Sequence, residues 1–570
     1  TNFTLEGDTK FDAVTVGAGC EFDLNGQRAE FGGDVTYSGI WDADGLAVFS
    51  GGFTKYGTLN NAATGDIITM GTSGLPTFSY ITGYRTFFQN GGVQLGTGGF
   101  TNIGKAIVAG TTNVGTRDTS STNLTFVTGG TFQAEAKTHT VSGDFNMAGG
   151  IIGKSGLDFN ASSNPYVDLD NNAAWAFGTN NFTLEGWFRS DTDTGLNRTI
   201  IANGDAGDNG FLLYMQGGGN VAFYVNNIKV CNAVGPYEND SKWHHAAAVR
   251  DGNDYLLYID GKLMDQSTQA AQNLTHSGKA SIGARDLSNS VDAFFDGQIG
   301  MVRVFKGSTG GARTESEIRA DMFNNYADMV DKTDLFAMYQ FDEATGAEVV
   351  NIQGNTNYDG TISNATWVSP GTYTYGTSTL KFDNAGTCNF TGHQDGTATQ
   401  LHSIHITSGT TVAADCLNND LVMNSGSLMT NSGTLTSNRN WQYKSRNMPI
   451  VGPNSDLKVS TNIWYYMSDG SGLPASGAGT DYYQLRPATN VYMQGDFDCQ
   501  NGLLQSGGDL HLNGYACSTS KIWNYGGGNI HADPGSSIVF DNADGFNVSY
   551  GENPTTMFFV ASGEACAMFN

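Results

Sequence analysis

The sequence predicts an all-β protein in which Gly-rich flanks surround a central sandwich. Apolar and polar residues alternate with period two along much of the chain, as in 138–142 (Thr-His-Thr-Val-Ser) and 220–225 (Asn-Val-Ala-Phe-Tyr-Val), and this period is typical of strands. The 570 residues include 77 Gly but only 10 Pro, which favours many tight turns over a Pro-rich disordered chain. Helical periodicity is nearly absent.

The flanks carry a recurring strand-turn phrase. Residues 141–152 and 493–504 both place Gly-Asp-Phe between short alternating runs, and similar units recur about every 15 to 25 residues, as is typical of a β-solenoid. We therefore predict solenoid-like regions at 1–155 and 371–570, with the sandwich at 156–370. One solenoid interrupted by the sandwich is the simplest arrangement, and two separate β-rich domains are the alternative.

The charge balance excludes some partners. Lys and Arg total 28 against 55 Asp and Glu, for a net charge of −27, and this field argues against nucleic acid as a partner. An acidic surface suits divalent cations or simply solubility. The sequence contains no run of about 18 apolar residues, so it predicts no membrane span. No basic-then-apolar leader is evident, and the strand-like start at Thr1 is expected of a processed chain or of part of a longer polypeptide.

Two local signals set turns and a helix. Asp260 and Gly261 stand between two apolar runs, and this dipeptide favours a two-residue hairpin because its turn needs positive φ. Thr314 precedes Glu317 in a capping-box arrangement at the start of the one helical pattern, which we predict at 313–326.

Between residues 160 and 368 an ordered series of motifs appears. The series comprises 166–170 (Tyr-Val-Asp-Leu-Asp), 182–188 (Phe-Thr-Leu-Glu-Gly-Trp-Phe), 242–252 (Lys-Trp-His-His-Ala-Ala-Ala-Val-Arg-Asp-Gly), 257–263 (Leu-Tyr-Ile-Asp-Gly-Lys-Leu) and 295–305 (Phe-Asp-Gly-Gln-Ile-Gly-Met-Val-Arg-Val-Phe). It resembles the laminin-G-like, concanavalin-type jelly rolls, in which a Trp-His-His strand, a Tyr-x-Asp-Gly hairpin and a closing Phe-x-Gly strand recur. The resemblance implies a β-sandwich that serves as a non-catalytic recognition module.

The large side chains of this region are expected to be structural. Trp187, Trp243 and Trp367 lie on strands with apolar neighbours, so we predict that they fill the sandwich core rather than stack on sugars. His244 and His245 are adjacent on one strand and must point to opposite faces, which argues against a shared catalytic site.

The resemblance also implies calcium, because members of this family often bind it at one rim of the sandwich and use that rim for glycans or protein surfaces. Calcium takes six to eight oxygen ligands. A first candidate loop offers Asn203, Asp205, Asp208 and Asn209, whose alternative role is an ordinary Asx-rich turn. A second group comprises Asp286, Asp292 and Asp296. Where relatives commonly place an acidic pair after this group, the chain has Gly300 and Met301, which weakens the second site.

No catalytic motif is present: the sequence lacks a Gly-x-Ser-x-Gly elbow, a Walker loop and His-Glu-x-x-His. Asp144 and Asp496 could form a paired-acid site, but both occupy the repeat phrase, which favours a role in turns. An aromatic-rich stretch at 441–490 interrupts the repeat and suits packing, a subunit contact or sugar stacking.

These observations predict an extracellular or virion-surface structural or adhesive protein that binds glycan or a host-surface protein. Such a protein is expected to form homo-oligomers and to contact other surface proteins, with a phage or viral appendage favoured. The alternatives are a solenoid polysaccharide depolymerase with an appended binding module and a purely structural assembly protein.

Overall fold

The computed structural model describes residues 2–42, 45–50 and 101–382, the last range without 104, 114–117, 154, 172, 193–194, 205–208, 277–278, 288–289, 309, 370 and 375–377, together with individual strands and adjoining turns between 53 and 94 and between 386 and 561. Strands dominate this part of the chain, so the all-β prediction is confirmed. No helix within it is long and apolar enough to cross a membrane.

The strands before the sandwich are β1 (Asn2–Thr4), β2 (Thr9–Phe11), β3 (Val14–Val16), β4 (Glu21–Asp23), β5 (Arg28–Phe31), β6 (Val35–Tyr37), β7 (Ile40–Asp42), β8 (Leu46–Phe49), β9 (Phe53–Lys55), β10 (Thr58–Leu59), β11 (Asp66–Thr69), β12 (Arg85–Phe88), β13 (Val93–Gln94), β14 (Thr101–Asn102), β15 (Lys105–Val108), β16 (Thr111–Asn113), β17 (Thr119–Ser121), β18 (Asn123–Val127), β19 (Thr131–Gln133), β20 (Thr138–Val141) and β21 (Phe145–Gly149).

The sandwich strands are β22 (Leu157–Phe159), β23 (Tyr166–Asn171), β24 (Asn181–Ser190), β25 (Arg198–Asn203), β26 (Phe211–Gln216), β27 (Asn220–Val225), β28 (Ile228–Ala233), β29 (His244–Asp251), β30 (Asp254–Ile259), β31 (Lys262–Thr268), β32 (Lys279–Ile282), β33 (Arg285–Leu287), β34 (Ser290–Asp292), β35 (Gly297–Gly307), β36 (Leu335–Tyr339), β37 (Glu348–Val349), β38 (Gly360–Ser363) and β39 (Thr366–Trp367). Helix α1 (Glu315–Asp321) and the 3-10 turns Ala161–Ser163, Ala173–Trp175 and Thr356–Tyr358 lie among them.

The strands after it are β40 (Thr372–Thr374), β41 (Thr379–Phe382), β42 (Gly386–Asn389), β43 (Thr399–Ile406), β44 (Thr410–Val412), β45 (Cys416–Met423), β46 (Leu428–Thr430), β47 (Gly433–Tyr443), β48 (Ile450–Val451), β49 (Ser455–Val459), β50 (Ile463–Tyr465), β51 (Ser471–Gly472), β52 (Thr480–Tyr482), β53 (Val491–Tyr492), β54 (Phe497–Cys499), β55 (Leu503–Gln505), β56 (Leu510–His511), β57 (Ala516–Thr519), β58 (Ile522–Asn524), β59 (Ile530–Ala532), β60 (Ser537–Phe540), β61 (Val548–Tyr550) and β62 (Phe559–Ala561).

The flanking strands form a parallel solenoid. Each of the first three rungs gives one strand to each of three sheets, ordered β1-β4-β7, β2-β5-β8 and β3-β6-β9. Rings that are one rung apart stack: Phe31 lies 5.4 Å from Phe11 and 4.9 Å from Phe49, centroid to centroid. These spacings are close to the separation of hydrogen-bonded strands, so side-chain stacking and backbone pairing enforce the same register.

The ladders run directly from one side of the sandwich to the other. Strand β19 pairs with β40, β20 with β41 and β21 with β42, all in parallel. Phe132 stacks on Tyr373 across this join with centroids 5.8 Å apart, and the amide of Gly371 donates to the carbonyl of Met147 at 3.0 Å. The chain therefore leaves the solenoid after one rung and returns to build the next.

The inserted sandwich consists of two antiparallel sheets. The inner sheet has the order β31-β30-β29-β24-β35-β22-β39, with β36 beside β35, and the outer sheet has the order β28-β27-β26-β25-β32-β23-β38-β37. Alternate residues of the two sheets meet in a fully buried core, which includes Phe182, Leu184, Phe211, Phe223 and Leu257. Period-two alternation of this kind places every second side chain between the sheets.

The predicted hairpin is confirmed, and the predicted helix is shorter than expected. Asp260 and Gly261 have φ values of 50° and 69° and join β30 to β31. Thr314 caps α1 with the predicted capping box, but the helix ends at Asp321 rather than at 326. It ends there because side chains of the inner sheet take the carbonyls of its last turn: Arg303 donates to Asp321 O at 2.8 Å and Trp187 Nε1 to Met322 O at 2.6 Å.

The prediction that Trp187, Trp243 and Trp367 pack in the sandwich core is wrong for Trp187 and Trp243, whereas Trp367 does pack against that core. Trp187 and Trp243 are fully buried, but on the opposite face of the inner sheet, where they belong to a second apolar cluster with residues of the solenoid. Trp367 is only partly buried beside the core, and its Nε1 donates to Gly346 O at 3.0 Å. The inner sheet is therefore covered on both faces.

Candidate functional site

The solenoid and the inner sheet meet across an apolar interface. Leu46, Val48, Phe87, Ile107 and Val127 project from strands β8, β12, β15 and β18 of one solenoid sheet. The sandwich covers them with the side chains Trp187, Trp243, Met301, Phe305, Met322, Phe323, Met329, Leu335 and Met338. The burial of this many apolar side chains fixes the position of the sandwich on the solenoid.

A polar cluster closes one end of this interface. The Arg28 side chain of the solenoid donates to Asp260 O at 3.2 Å, and Lys262 Nζ donates to Glu30 at 3.0 Å. Burial raises the pKa of Glu30, but the neighbouring Arg28 and Lys262 outweigh it and lower that pKa to about 2. Arg319 of α1 pairs with Asp8 of the first rung. Charged groups from both units therefore hold the hairpin and the helix against the solenoid.

His244 is buried at this end, between two carboxylates. Its Nδ1 lies 2.8 Å from Asp260 Oδ2 and its Nε2 lies 3.0 Å from Asp240 Oδ2. Burial lowers the pKa of His244, but the two carboxylates outweigh it and raise that pKa to about 9. The imidazolium therefore cross-links the β30–β31 turn to the chain before β29.

His245 points to the opposite face, as predicted. Its Nε2 lies 3.6 Å from Glu185 Oε2, and Glu185 is bound by Arg303, whose Nε donates to Oε2 at 2.9 Å. Burial raises the pKa of Glu185, but Arg303 and His245 lower it more, so the net shift is downward. The two histidines occupy different structural networks and share no site.

A cavity of about 370 Å³ lies elsewhere along the junction, between the solenoid and the segment that follows α1. We call it the junction cavity. Its polar lining is Lys105, Asn123, Thr125, Asp144 and Asn146 from the solenoid and Asn325, Asp328, Gln340 and Asp342 from the sandwich. Ile107, Phe145, Ile151, Ile152 and Phe323 supply its apolar wall.

The walls of the junction cavity are fixed by hydrogen bonds. Gln340 donates from Nε2 to Asp342 Oδ2 at 2.8 Å, and its Oε1 accepts from the Tyr326 amide. Asn146 Nδ2 donates to Gly153 O at 3.0 Å. Gly153 has a φ of +62°, and a Cβ there would collide with the Asp342 carboxylate. Gly153 thus allows the chain entering the sandwich to pass close to this carboxylate.

The chemistry of the junction cavity suits a polyhydroxylated ligand. Three carboxylates accept hydrogen bonds, four amides donate and accept, and one lysine donates. Asp144, Asp328 and Lys105 are exposed to solvent, so a ligand can reach all three side chains. Pockets with an apolar wall and a few convergent polar groups, placed between two units, are typical binding sites.

Sequence reasoning found one part of this site and missed the rest. The sequence predicts a role in a turn for Asp144, whose amide donates to Asn123 Oδ1 at 3.1 Å, while its side chain also lines the cavity. Asp496 lies outside the described residues. Nothing in the sequence connects Asp144 with Asp342, because only the docking of the sandwich on the solenoid brings these two residues to the same cavity.

The first predicted calcium loop is described only at its ends. Asn203 is fully buried, and its Nδ2 donates to Trp175 O at 2.7 Å and to His276 O at 3.0 Å. Asn209 has a φ of 55°, a left-handed conformation that Asn tolerates. Asp205 and Asp208 lie outside the described residues.

The second predicted group is spread over different contacts. Asp292 pairs with Arg285 across the β33–β34 hairpin at 2.7 Å. Asp286 belongs to β33, and its side chain lies outside the described part. Asp296 accepts from the Ala161 amide at 3.2 Å.

Asp296 has two acidic neighbours that sequence reasoning missed. Burial raises the pKa of Asp158 and of Asp191, and the Asp296 carboxylate raises both further. All three already have protein partners: Asp296 accepts from the Ala161 amide, Gln298 Nε2 lies 3.2 Å from Asp158, and Arg189 Nε lies 3.2 Å from Asp191. If calcium binds at this rim, Asp158 and Asp191 would supply oxygens beside Asp296. Calcium binding stays a prediction. The side chains of the aromatic stretch 441–490 are outside the described part.

Comparisons with known proteins agree with the fold of the sandwich. Residues 161–319 match the family model of the concanavalin A-like lectin/glucanases superfamily, specifically its laminin-G branch. No curated protein matches the sequence.

Several solved structures are similar to part of the chain. A Bacteroides ovatus protein assigned to carbohydrate binding is 21% identical, with 38% of this chain and 60% of that chain covered and a TM-score of 0.30. The CBM40 of Ruminococcus gnavus IT-sialidase bound to alpha2,6 sialyllactose is 17% identical, with 30% and 98% covered and a TM-score of 0.25. Domains LG4-5 of the mouse laminin alpha1 chain are 18% identical, with 27% and 41% covered and a TM-score of 0.22. The chain thus spans less than two thirds of the Bacteroides protein. The sandwich is therefore laminin-G-like, and its residues 161–319 match the concanavalin A-like lectin/glucanases superfamily.

Proposed function

We propose that the protein is a non-catalytic adhesive protein that binds carbohydrate in the junction cavity. The observation that carries this proposal is the lining of that cavity, where carboxylates, amides and a lysine converge beside an apolar wall. Sugar hydroxyls both donate and accept hydrogen bonds, and sugar C–H groups pack on apolar surfaces. The lectin-type superfamily of the inserted domain agrees with this class of ligand.

The setting is proposed from the architecture. A solenoid is stiff and extended because each rung packs only on its neighbours, so it can hold a binding domain away from a surface. We propose an extracellular role on a virion or a bacterial surface, with phage or viral appendages favoured, and with homo-oligomers as the working form.

Glycan arrays and affinity retention on immobilised polysaccharide test the binding. We expect retention by the full chain and a loss of affinity of about tenfold or more for Asp342→Asn and for Asp328→Asn, because each removes a charged acceptor from the cavity. Glu348→Gln is the matched control, since Glu348 is an exposed acid on β37 outside the cavity. Equal retention of all four proteins, or of none, would contradict the proposal.

The same incubation separates the alternative functions. The three carboxylates that line one cavity also favour a second candidate, a polysaccharide depolymerase, since glycoside hydrolysis uses a pair of acids. Shortened chains that disappear with Asp144→Asn would identify an enzyme. If the protein is not retained and the polysaccharide is not shortened, the remaining alternative is a purely structural assembly protein. Repeating the binding in EDTA, with calcium or zinc added back separately, tests the calcium prediction.

A further inference from the structure

Three metal-ligating side chains converge on the solenoid after the sandwich. Asp509, His511 and His531 have ligand atoms that all lie within 4.8 Å of one another, and no other group of three His, Cys, Asp or Glu side chains among the described residues meets this limit. All three residues are partly exposed. The cluster belongs to neither the junction cavity nor the predicted calcium sites.

The register of the solenoid creates this cluster. Strands β56 and β59 are adjacent parallel rungs in which Leu510 faces Ile530 and His511 faces His531. Leu510 and Ile530 are fully buried, so the alternating residues Asp509, His511 and His531 lie on the outer face. The two imidazole rings are stacked, with centroids 4.1 Å apart and planes 5° from parallel, and His531 Nε2 lies 3.0 Å from Asp509 Oδ2.

We propose that Asp509, His511 and His531 bind a divalent first-row transition metal ion, zinc being the physiological choice. Two imidazoles and one carboxylate are a typical donor set for such ions, whereas calcium prefers oxygen alone. Ligand atoms on one tetrahedral zinc lie about 3.3 Å apart, given bonds near 2 Å. The two parallel rings must turn about their side-chain torsions so that their nitrogen lone pairs converge on the ion, and their partial exposure leaves room for this movement.

The ion would bridge two successive rungs. Its ligands come from chain segments about one rung apart, so binding adds a cross-link between β56 and β59 beyond their backbone pairing. Three protein ligands leave coordination positions open to water.

The test uses the full chain, stripped with chelator and titrated with Co²⁺, whose visible absorption reports its ligands. We expect one equivalent to bind, to be displaced by Zn²⁺ and to be unaffected by Ca²⁺. His531→Gln and Asp509→Asn each lower the Co²⁺ affinity by about tenfold or more, while His276→Gln, which changes a histidine of the sandwich, leaves it unchanged. Zn²⁺ also slows amide exchange in β56 and β59.

Two results would overturn the proposal. The first is an identical Co²⁺ titration for the unaltered chain, His531→Gln and Asp509→Asn, which would mean that the stacked histidines are a structural ladder only. The second is displacement of Co²⁺ by Ca²⁺, which would indicate an oxygen site elsewhere. Asp509→Asn keeps the shape of an exposed side chain, so the test does not depend on a variant that fails to fold.

Discussion

His244→Gln probes the charged network that connects the β30–β31 turn to the chain before β29. The pKa of His244 is raised from its ordinary 6.5 to about 9, so the folded state holds this proton more tightly than the unfolded state. At 1.36 kcal/mol per pKa unit this difference corresponds to about 3 kcal/mol. Because the folded pKa lies above the unfolded one, the contribution is fully present below pH 6.5 and is lost as the pH rises through about 9.

Urea unfolding followed by Trp fluorescence at pH 6 and at pH 10 measures this contribution. The stability advantage of the unaltered protein over His244→Gln should be about 3 kcal/mol larger at pH 6 than at pH 10, a change of roughly 1–1.5 M in the midpoint difference for m near 2–3 kcal/mol/M. His276→Gln controls for the loss of an imidazole elsewhere in the sandwich. An advantage that stays constant between the two pH values would refute the charged state of His244.

Three further substitutions test the interface, the buried ion pair and the hairpin. Phe323→Ala opens a cavity in the interface with the solenoid and should cost about 3–5 kcal/mol in urea unfolding, and should speed proteolysis between the two units. Arg303→Met leaves Glu185 buried without its guanidinium and should cost about 3–5 kcal/mol, whereas replacing both residues by apolar ones should recover most of that loss. Gly261→Val should lower the free energy of unfolding by about 1–2 kcal/mol because Gly261 has a φ of +69° and lies close to Arg319; Gly252→Ala, at φ +58° in open space, should cost less.

The sequence predicted those features whose cause is local. The Asp260–Gly261 turn and the Thr314 cap depend on residues within four positions of one another, so their motifs were sufficient. The placement of Trp187 failed for a different reason. Strand β24 is buried on both faces, because the solenoid covers the side of the inner sheet that would otherwise meet water. The alternating pattern then predicts that a side chain of β24 is buried, but it does not indicate whether that side chain packs in the sandwich core or against the solenoid. Glu185 and Trp187 lie on the face of β24 that the solenoid covers. The charged Glu185 is the one sign in the motif that this face differs from the apolar core.

The candidate sites depend on relations between distant segments, which no local pattern contains. Lys105 and Asp342 line one cavity although most of the sandwich lies between them in sequence. His511 and His531 lie on adjacent rungs, but the irregular period of the repeat prevented an alignment of their positions. A register built from the buried pair Leu510 and Ile530 would have placed the two histidines side by side.

The way in which the sandwich is attached to the solenoid determines which units a ligand in the proposed binding site can contact. If the sandwich were joined to the solenoid only by its two chain connections, it could pivot about Gly149 and Gly371. The amide of Gly371 bonds to Met147 O, so this pivot point lies where the chain re-enters the solenoid. The apolar interface and the contact of Arg319 with Asp8 of the first rung add attachments far from that point. Several separated attachments remove the pivot, so a ligand held in the junction cavity contacts both units at once. Binding there should therefore depend on the solenoid as much as on the sandwich, and a sandwich prepared alone should lose the half of the cavity that Lys105 and Asp144 supply.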